Sequence, residues 1–284
     1  FRLNTRINGQ PANPLKAFTV PSANFYTTLM YSYEESIKNK GASQQRLTDI
    51  RDVLVDNARL SLKEDFANDI FSDGAVISGD FNRFGALQLA VNNSSGVGST
   101  STTYAGINRA TAGNGFWEST LVTTVYSDAN LQDPTHPGYM SKLLQTASTA
   151  PLYGGDGKKQ GGSERDLYVM PSRLFDMYAN IMRANNLMIT STKSGDIGFK
   201  KNVIEFQGTE IMYDHYCTAK NIFALSTSDW RYHVASESDF TFVKNDSGNV
   251  WSLNQLQYEA IITFIGQLYC RTPRNQYRFT ELGS

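Results

Sequence analysis

Apolar residues recur every fourth position along one segment near the start of the chain, the spacing of one face of an α-helix. The recurring positions are Ile50, Leu54, Ala58, Leu62, Phe66 and Ile70. The opposite face is charged and is expected to meet solvent; it carries Arg51, Asp52, Asp56, Arg59, Lys63 and Glu64. Ser43 is placed to cap the first turn and Gly74 to end the last. The pattern predicts one helix over Ala42–Phe71, about 45 Å long at 1.5 Å per residue.

Both ends of the chain have strand patterns. Residues 1–7 (FRLNTRI) alternate apolar and polar side chains, and residues 25–37 (FYTTLMYSYEESI) are aromatic and rich in β-forming residues. A turn at residues 10–14 (QPANP) separates them, so the pattern predicts a long hairpin over residues 1–37. Such a hairpin is marginal in water and needs a surface to lie on, in this subunit or in another. The last third, Val203–Leu282, is a series of strands without a catalytic motif.

The middle of the chain mixes helices and strands. A short helix is expected at Gly138–Ala147, a strand at Asp166–Met170 and an amphipathic helix at Ser172–Asn185. Residues 92–103 and 154–162 are small, polar or glycine-rich and are expected to be loops. These elements predict an α+β fold.

Composition narrows the function only slightly. The 284 residues suffice for one large domain or two intertwined subdomains, and no stretch reaches the roughly 20 apolar residues of a transmembrane helix. The 26 Lys and Arg nearly balance the 27 Asp and Glu, which argues against tight neutralisation of nucleic-acid phosphates. Cys217 and Cys270 are expected to be buried free thiols. Because the sequence begins at Phe1 instead of Met, we expect a processed or trimmed form of a longer product.

The order of these elements resembles that of tailed-bacteriophage major capsid proteins with the HK97-type fold. In that family a long hairpin precedes a spine helix, an α+β middle follows, and the chain returns as strands. Three segments carry the resemblance further: Gly106–Trp117 (GINRATAGNGFW), Asp166–Asn180 (DLYVMPSRLFDMYAN) and Val203–Tyr213 (VIEFQGTEIMY). Asn108 stands where many phage capsid proteins have Asp in a Gly-Ile-Asp-Arg segment. The resemblance covers nearly the whole chain and depends on the order and spacing of the segments.

The resemblance implies a structural protein, not an enzyme. Its parts would be an extended β-hairpin (E-loop, 1–37), a peripheral (P) domain with a spine helix (38–91, helix 42–71), an axial (A) domain with return strands (92–238) and further P-domain strands (239–284). Copies would form hexamers and pentamers of an icosahedral head enclosing double-stranded DNA, assembled in the bacterial cytoplasm and retained in the virion. The implied partners are other copies, portal, scaffolding and decoration proteins, and DNA without sequence-specific contact. No cofactor, metal or membrane is implied.

In such a shell the E-loop is expected to lie over the P domain of an adjacent subunit. Its apolar residues would be buried there, while Arg6 and Lys16 would form salt-sensitive ion pairs with the neighbour's spine helix. The middle subdomain would converge at capsomer centres, with loops near residues 128–136 and 154–162. The candidate intersubunit contacts are Arg6, Leu15, Lys16, Phe18, Phe25, Tyr26, Arg51, Asp52, Arg59 and Glu64.

Three clusters suggest chemistry, and each also has a simpler interpretation. Asp128, Asp133 and His136 offer metal-ligand atoms, but their segment fits a proline-containing loop capped by aspartates. The run Asp214–Cys217 (DHYC) suggests a nucleophile with a base, although adjacent residues of a strand point to opposite faces. Residues 154–159 (GGDGKK) resemble a phosphate-binding loop but lack its first glycine and its Ser/Thr. We favour the structural interpretation in each case.

Two other functions compete with the capsid hypothesis. The first is a binding module, either a phage tail or decoration subunit or a β-rich carbohydrate-binding protein. The many aromatic residues and polar loops favour it, whereas the long amphipathic helix after a lone hairpin argues against it. The second is a hydrolase, which depends on the Asp and His residues alone.

Overall fold

The computed structural model describes the chain in segments: residues 18–38, 50–72, 84, 87–94, 102–153, 159–160, 165–184, 203–236, 238–244, 250, 252–254 and 256–283. The α-helices within them are α1 Tyr33–Lys38, α2 Ile50–Ile70, α3 Leu87–Ala90, α4 Asp128–Gln132, α5 Met140–Thr149 and α6 Ser172–Ala184. The strands are β1 Ala23–Ser32, β2 Thr103–Tyr104, β3 Ile107–Asn108, β4 Thr120–Val122, β5 Leu152–Tyr153, β6 Lys159–Gln160, β7 Leu167–Met170, β8 Val203–Phe206, β9 Thr209–Tyr213, β10 Ile222–Leu225, β11 Trp230–Val234, β12 Thr241–Phe242, β13 Ser252–Asn254, β14 Gln257–Cys270 and β15 Tyr277–Phe279. None of these described helices has the length and apolar character that crossing a bilayer requires.

A five-stranded antiparallel sheet is built around β14, a strand of 14 residues. β1 pairs with one edge of β14, from Ala23 opposite Gly266 to Ser32 opposite Gln257. β13, β12 and β11 follow one another along the other edge. A strand from the beginning of the sequence therefore pairs with one near its end, which no local pattern can predict.

Helix α2 covers one face of this sheet. Its apolar stripe packs on the sheet through Leu54, Ala58 and Leu62, which meet Leu29 of β1 and Ile262 of β14. The four-residue spacing in the sequence identified this buried stripe. The helix spans Ile50–Ile70, about 32 Å at 1.5 Å per residue. Residues 42–49 and the predicted helix ends at Ser43 and Gly74 lie outside the described residues.

The prediction of one strand over residues 25–37 is wrong in its last part. β1 ends at Ser32, and Tyr33–Lys38 is helix α1. Ser32 and Glu35 cap this helix reciprocally: the N–H of Glu35 donates to Ser32 Oγ (3.1 Å), and the N–H of Ser32 donates to Glu35 Oε2 (2.9 Å). This capping box outweighs the β propensity of the neighbouring aromatic residues. The partner strand predicted at residues 1–7 lies outside the described residues.

The second large sheet has six strands in the order β4-β15-β10-β7-β9-β8, with parallel pairs β4–β15 and β7–β9. Side chains alternate across it, as in any pleated sheet. Tyr168 and Met170 pack against α5 and α6 on one face, while Val169 packs with Phe71 and Phe223 on the other. The predicted α+β fold class is confirmed.

Strand pairing groups the chain differently from the predicted segments. β11, which falls in the segment 92–238, pairs with β14 in the five-stranded sheet. β15, which falls in the segment 239–284, pairs with β10 and β4 in the six-stranded sheet. Two stretches of chain therefore pass from one sheet to the other, one joining β10 to β11 and one joining β14 to β15. The division into P and A domains stays a prediction.

Candidate intersubunit surface

The face of the five-stranded sheet that points away from α2 carries exposed apolar side chains. The register of β1 against β14 puts Tyr26 and Met30 on the same side as Ile261. The N–H of Val243 donates to the carbonyl of Ile261 (2.9 Å), which brings Val243 beside it. The exposed fractions are 53% for Tyr26, 54% for Met30, 45% for Val243 and 40% for Ile261. We call these four residues the outer face.

Strand alternation explains why the outer face is exposed. Phe25 and Leu29 point towards α2, so their neighbours Tyr26 and Met30 point away from it. On the same side, Thr263, Thr28 and Glu259 lie opposite Tyr26, Ile261 and Met30, so the outer face alternates apolar and polar side chains. Such a mixed face is a candidate contact surface. Leu256, in the turn before β14, is 69% exposed and has a left-handed backbone with φ of 66°. That conformation costs about 1–2 kcal/mol for a residue with a Cβ atom, so the turn combines strain with apolar exposure.

The predicted contact residues fall into different environments. Arg6, Leu15 and Lys16 lie outside the described residues. Tyr26 belongs to the outer face. Three residues of α2, Asp52, Arg59 and Glu64, have exposed side chains. The intersubunit role of all these residues stays a prediction.

Two predicted contact residues, Phe25 and Phe18, pack within their own chain. The ring centroid of Phe25 lies 5.1 Å from that of Phe84 and 6.0 Å from that of Phe264, in the core under α2. The ring of Phe18 contacts Trp117, with centroids 5.6 Å apart, and remains 38% exposed. Phe25 is thus partly buried in the core of its own subunit, and a contact of its ring with a neighbouring subunit stays a prediction.

Arg51, another predicted contact, interacts with two tyrosines of its own sheet. Its Nε donates to Tyr31 Oη (2.6 Å). Its guanidinium lies 5.3 Å from the ring centroid of Tyr31 and 5.7 Å from that of Tyr258. These contacts attach the start of α2 to β1 and β14, so Arg51 has a structural role inside the subunit.

The Gly-Ile-Asn-Arg segment forms a tight hairpin of β2 and β3. Its two turn residues, Ala105 and Gly106, have positive φ angles of 51° and 78°, as a two-residue hairpin turn requires. Asn108 Oδ1 accepts the N–H of Ala110 (2.9 Å), which stabilises the chain as it leaves the hairpin. An Asp side chain offers the same acceptor. The presence of Asn108 in place of Asp therefore preserves this hydrogen bond.

The hairpin leads into Arg109, an arginine that is only 2% exposed. Its Nε donates to the carbonyl of Trp117 (3.0 Å), and its Nη1 and Nη2 donate to the carbonyls of Leu89 (2.9 Å) and Ala90 (2.7 Å). Trp117 Nε1 in turn donates to the carbonyl of Tyr104 (3.0 Å). Burial lowers the pKa of Arg109 to about 10, so the group stays charged at neutral pH. One side chain thus connects α3, the hairpin and Trp117.

Two further buried arginines hold the six-stranded sheet to its surroundings. Arg165 Nε donates to the carbonyl of Asn275 (2.9 Å) and its Nη1 to that of Ala150 (3.1 Å). Arg278 Nη2 donates to Gln88 Oε1 (3.3 Å), and burial lowers the pKa of Arg278 to about 10. Sequence reasoning missed both, because arginine is ordinarily a surface residue and nothing in the local pattern marks these two.

The aspartates and histidine of residues 128–136 have structural partners. Asp128 forms an ion pair with Arg173, with Oδ1 2.7 Å from Nη1. Asp133 Oδ1 accepts the N–H and the hydroxyl of Thr135, and these bonds lower the pKa of the Asp133 carboxyl. His136 Nδ1 accepts a backbone N–H two residues later (2.9 Å). In the part of the chain that the structure describes, no group of His, Cys, Asp and Glu side chains is arranged to hold a metal ion.

The DHYC run does not bring a nucleophile and a base together. Asp214 Oδ1 accepts the N–H of Tyr216 (2.8 Å) and closes a turn. His215 is exposed with its ring beside Tyr216, whereas Cys217 is buried in the core next to Phe223. Residues 154–158 of the glycine-rich run lie outside the described residues.

Both cysteines are buried and free, as predicted. Burial raises the pKa of the Cys217 and Cys270 thiols above the ordinary value. Since an unfolded thiol ionises near pH 8.5, the stability associated with the raised pKa is fully present below that pH and declines above it. We expect the free energy of unfolding to fall by about 1.4 kcal/mol per thiol between pH 7.5 and 9.5.

Urea unfolding at both pH values measures this change. In the variant Cys217→Ala, the free energy of unfolding is expected to fall by about half as much between pH 7.5 and 9.5 as in the wild type. Tyrosines contribute little to this decrease, because they ionise mainly above pH 9.5. An identical pH dependence in the wild type and the variant would show that the thiol is not protected by burial.

Comparison with solved structures identifies the fold. The chain matches a chain of the cyanophage A-1(L) capsid asymmetric unit over 94% of its own length and 79% of the other, with a TM-score of 0.59 and 12% identity. It matches a chain of the satellite phage P4 procapsid, a structure that includes the size determination (Sid) protein, over 98% and 78%, with a TM-score of 0.50 and 10% identity. No protein-family model and no curated protein matches the sequence. The resemblance to HK97-type phage capsid proteins is confirmed at the level of the fold.

Proposed function

We propose that this chain is a shell-forming capsid protein. Copies of it assemble into hexamers and pentamers that close an icosahedral phage head around double-stranded DNA. The observation that carries the proposal is the fold shared, over at least 94% of the chain, with chains of two phage shells. The outer face supports it, because a subunit alone leaves four large apolar side chains in water. Assembly takes place in the host cytoplasm, and the product is part of the virion.

The layer formed by α2 and the five-stranded sheet is the proposed P domain, and its two sides offer different chemistry. The helix side is charged and exposes Asp52 and Glu64, whereas the sheet side is the apolar outer face. Residues 1–17 contain Arg2, Arg6 and Lys16 and no Asp or Glu. Their charge is complementary to the acidic groups of α2. In the proposal this segment is the first part of the E-loop (1–37) of a neighbouring copy, and the outer face makes a separate contact between subunits.

A structural role also accounts for the charge of the chain. The formal net charge of −1 fits a container that encloses DNA without adhering tightly to it. The six-stranded sheet is the proposed A domain, with residues 128–136 and 154–162 near the centre of each capsomer. Portal and scaffolding proteins, and in some shells decoration proteins, are the further partners. The role requires no catalysis, cofactor or metal.

Deleting residues 1–17 should abolish closed shells while leaving a folded subunit. The deletion ends at Ala17 because the next two residues make contacts within their own subunit. The N–H of Thr19 donates to the carbonyl of Ala105 (3.1 Å), and Phe18 packs on Trp117. Gradient sedimentation and electron microscopy measure shell formation, and circular dichroism measures folding.

A charge-preserving variant is the control for this deletion. Arg6→Lys combined with Lys16→Arg keeps the length and the charge of the segment, and we expect shells in wild-type yield. Normal closed shells from the chain that lacks residues 1–17 would contradict the proposal that this part of the E-loop contacts a neighbouring copy.

A further inference from the structure

The stretch of chain that joins β10 to β11 and the stretch that joins β14 to β15 lie side by side. β10 pairs with β15 in the six-stranded sheet, with Ala224 opposite Tyr277. The same two stretches pair again as β11 and β14 in the five-stranded sheet, where Trp230 is opposite Cys270. A single two-stranded ribbon is therefore shared by both sheets. We call the break in this ribbon, residues 225–229 and 271–276, the joint.

The joint has unequal sides. Between the pair Ala224–Tyr277 and the pair Trp230–Cys270, one side has the five residues 225–229 and the other has the six residues 271–276. An extra residue on one strand bends and twists a ribbon and interrupts its backbone hydrogen bonds. Side chains therefore have to satisfy the backbone groups that the ladder leaves free.

Gln276 connects the two sides of the joint. Its side chain is fully buried, with an exposed fraction of 0%. Its Oε1 accepts the N–H of Ser226 (3.0 Å) at one end of the shorter side and Nε1 of Trp230 (3.2 Å) at the other end. A single acceptor thus fixes both ends of the shorter side relative to the longer side.

Asn275 anchors the joint to β5 and to Arg165, which lies just before β7 of the six-stranded sheet. Its Nδ2 donates to Asp229 Oδ2 (2.6 Å) and to the carbonyl of Tyr153 (2.8 Å), and its Oδ1 accepts the N–H of Tyr153 (2.7 Å). The side-chain amide therefore pairs with Tyr153 as a neighbouring strand does. Arg165 holds the carbonyl of the same asparagine (2.9 Å). The backbone N–H of Arg271 donates to the carbonyl of Asp229 (2.8 Å). This hydrogen bond connects the two sides of the joint at the end next to the five-stranded sheet.

We propose that Asn275 and Gln276 fix the angle between the two sheets and thereby the curvature of the assembled shell. The proposal extends the capsid function and depends on it. Repeated contacts between copies close into a shell only when each subunit presents them at a constant angle. Buried amides that are hydrogen-bonded hold one geometry, because any other geometry leaves buried polar groups without partners.

Two measurements test the proposal on the variants Asn275→Ala and Gln276→Met. The first is the distance between spin labels on cysteines introduced at His233 of β11 and Arg183 of α6, both exposed positions that do not belong to the outer face. The native cysteines are buried and should not take the label. Labelled chains are diluted with a large excess of unlabelled chains, so that only distances within one subunit are read. The second is the distribution of particle diameters by electron microscopy.

We expect both variants to broaden the distribution of label distances and the distribution of particle diameters. The matched control is Gln145→Met on the exposed side of α5, which should change neither. A narrow, wild-type distance distribution in the folded variants would overturn the role of the joint. A broad distance distribution with particles of uniform diameter would overturn its role in curvature. Absence of particles from the wild type would instead refute the capsid function, and the label distances would still report on the joint.

Discussion

Replacing Arg109 by alanine is expected to destabilise the subunit by about 3–5 kcal/mol, a large part of the roughly 5–15 kcal/mol typical of a folded domain. The change removes a donor from the carbonyls of Trp117, Leu89 and Ala90, of which the Ala90 carbonyl keeps the hydroxyl of Ser119 (3.1 Å). It also leaves a cavity beside Tyr104, whose ring lies 5.3 Å from the guanidinium. The midpoint of urea unfolding and the soluble yield measure the effect.

Two further variants make this test specific. Arg109→Lys keeps the charge but cannot reach three carbonyls at once, so we expect most of the loss to remain. Arg183→Ala removes an exposed arginine of α6 that donates to Asn180 and should change stability by about 0.5 kcal/mol or less. Equal stabilities of Arg109→Ala and Arg183→Ala would show that the hydrogen bonds of Arg109 to α3 and Trp117 do not stabilise the subunit.

Introducing aspartate at two positions of the outer face, Ile261→Asp with Val243→Asp, is expected to eliminate closed shells. Both side chains are exposed in the subunit, at 40% and 45%, but they lie side by side, so the double change should cost the subunit about 2–3 kcal/mol through lost strand propensity and repulsion between the carboxylates. In a shell, the same carboxylates would be buried in a contact without a partner, which costs several kcal/mol at every copy of the contact. Sedimentation of the purified variant separates shells from free subunits.

A volume-preserving pair is the control for the outer face. Ile261→Val with Val243→Ile keeps the apolar area and should form shells as the wild type does. Shells in normal yield from the double aspartate variant would show that the outer face is open to solvent in the assembly and is not an intersubunit contact.

The sequence predicted those parts of the fold that have a local periodicity. The apolar stripe of α2 could be read directly from its spacing, because a single buried face imposes that pattern. Strand β1 was predicted from the aromatic and β-forming composition of its segment. Helix α1 was mistaken for strand although the Ser32-x-x-Glu35 capping signal was present. Helix α4 was taken for a loop, yet Ser127 Oγ accepts the N–H of Asn130 (3.3 Å) and begins it. Both errors came from giving composition more weight than capping residues.

Long-range features could not be predicted from the sequence. The pairing of β1 with β14 joins residues more than two hundred positions apart, and no local pattern encodes such a register. The burial of Arg109 depends on carbonyls contributed by α3 and Trp117, which meet only in the folded chain. The outer face was found only in part: Tyr26 was identified, whereas Ile261 and Val243 became candidates once sheet pairing showed which side they occupy.

Cryo-electron microscopy of particles purified from cells that express the full chain tests the proposed capsid function most directly. Closed shells are predicted, with α2 and the outer face of each subunit covered by neighbouring copies. Monomers or small discrete oligomers, with the outer face open to solvent at every protein concentration, would contradict the assignment of this chain as a capsid subunit.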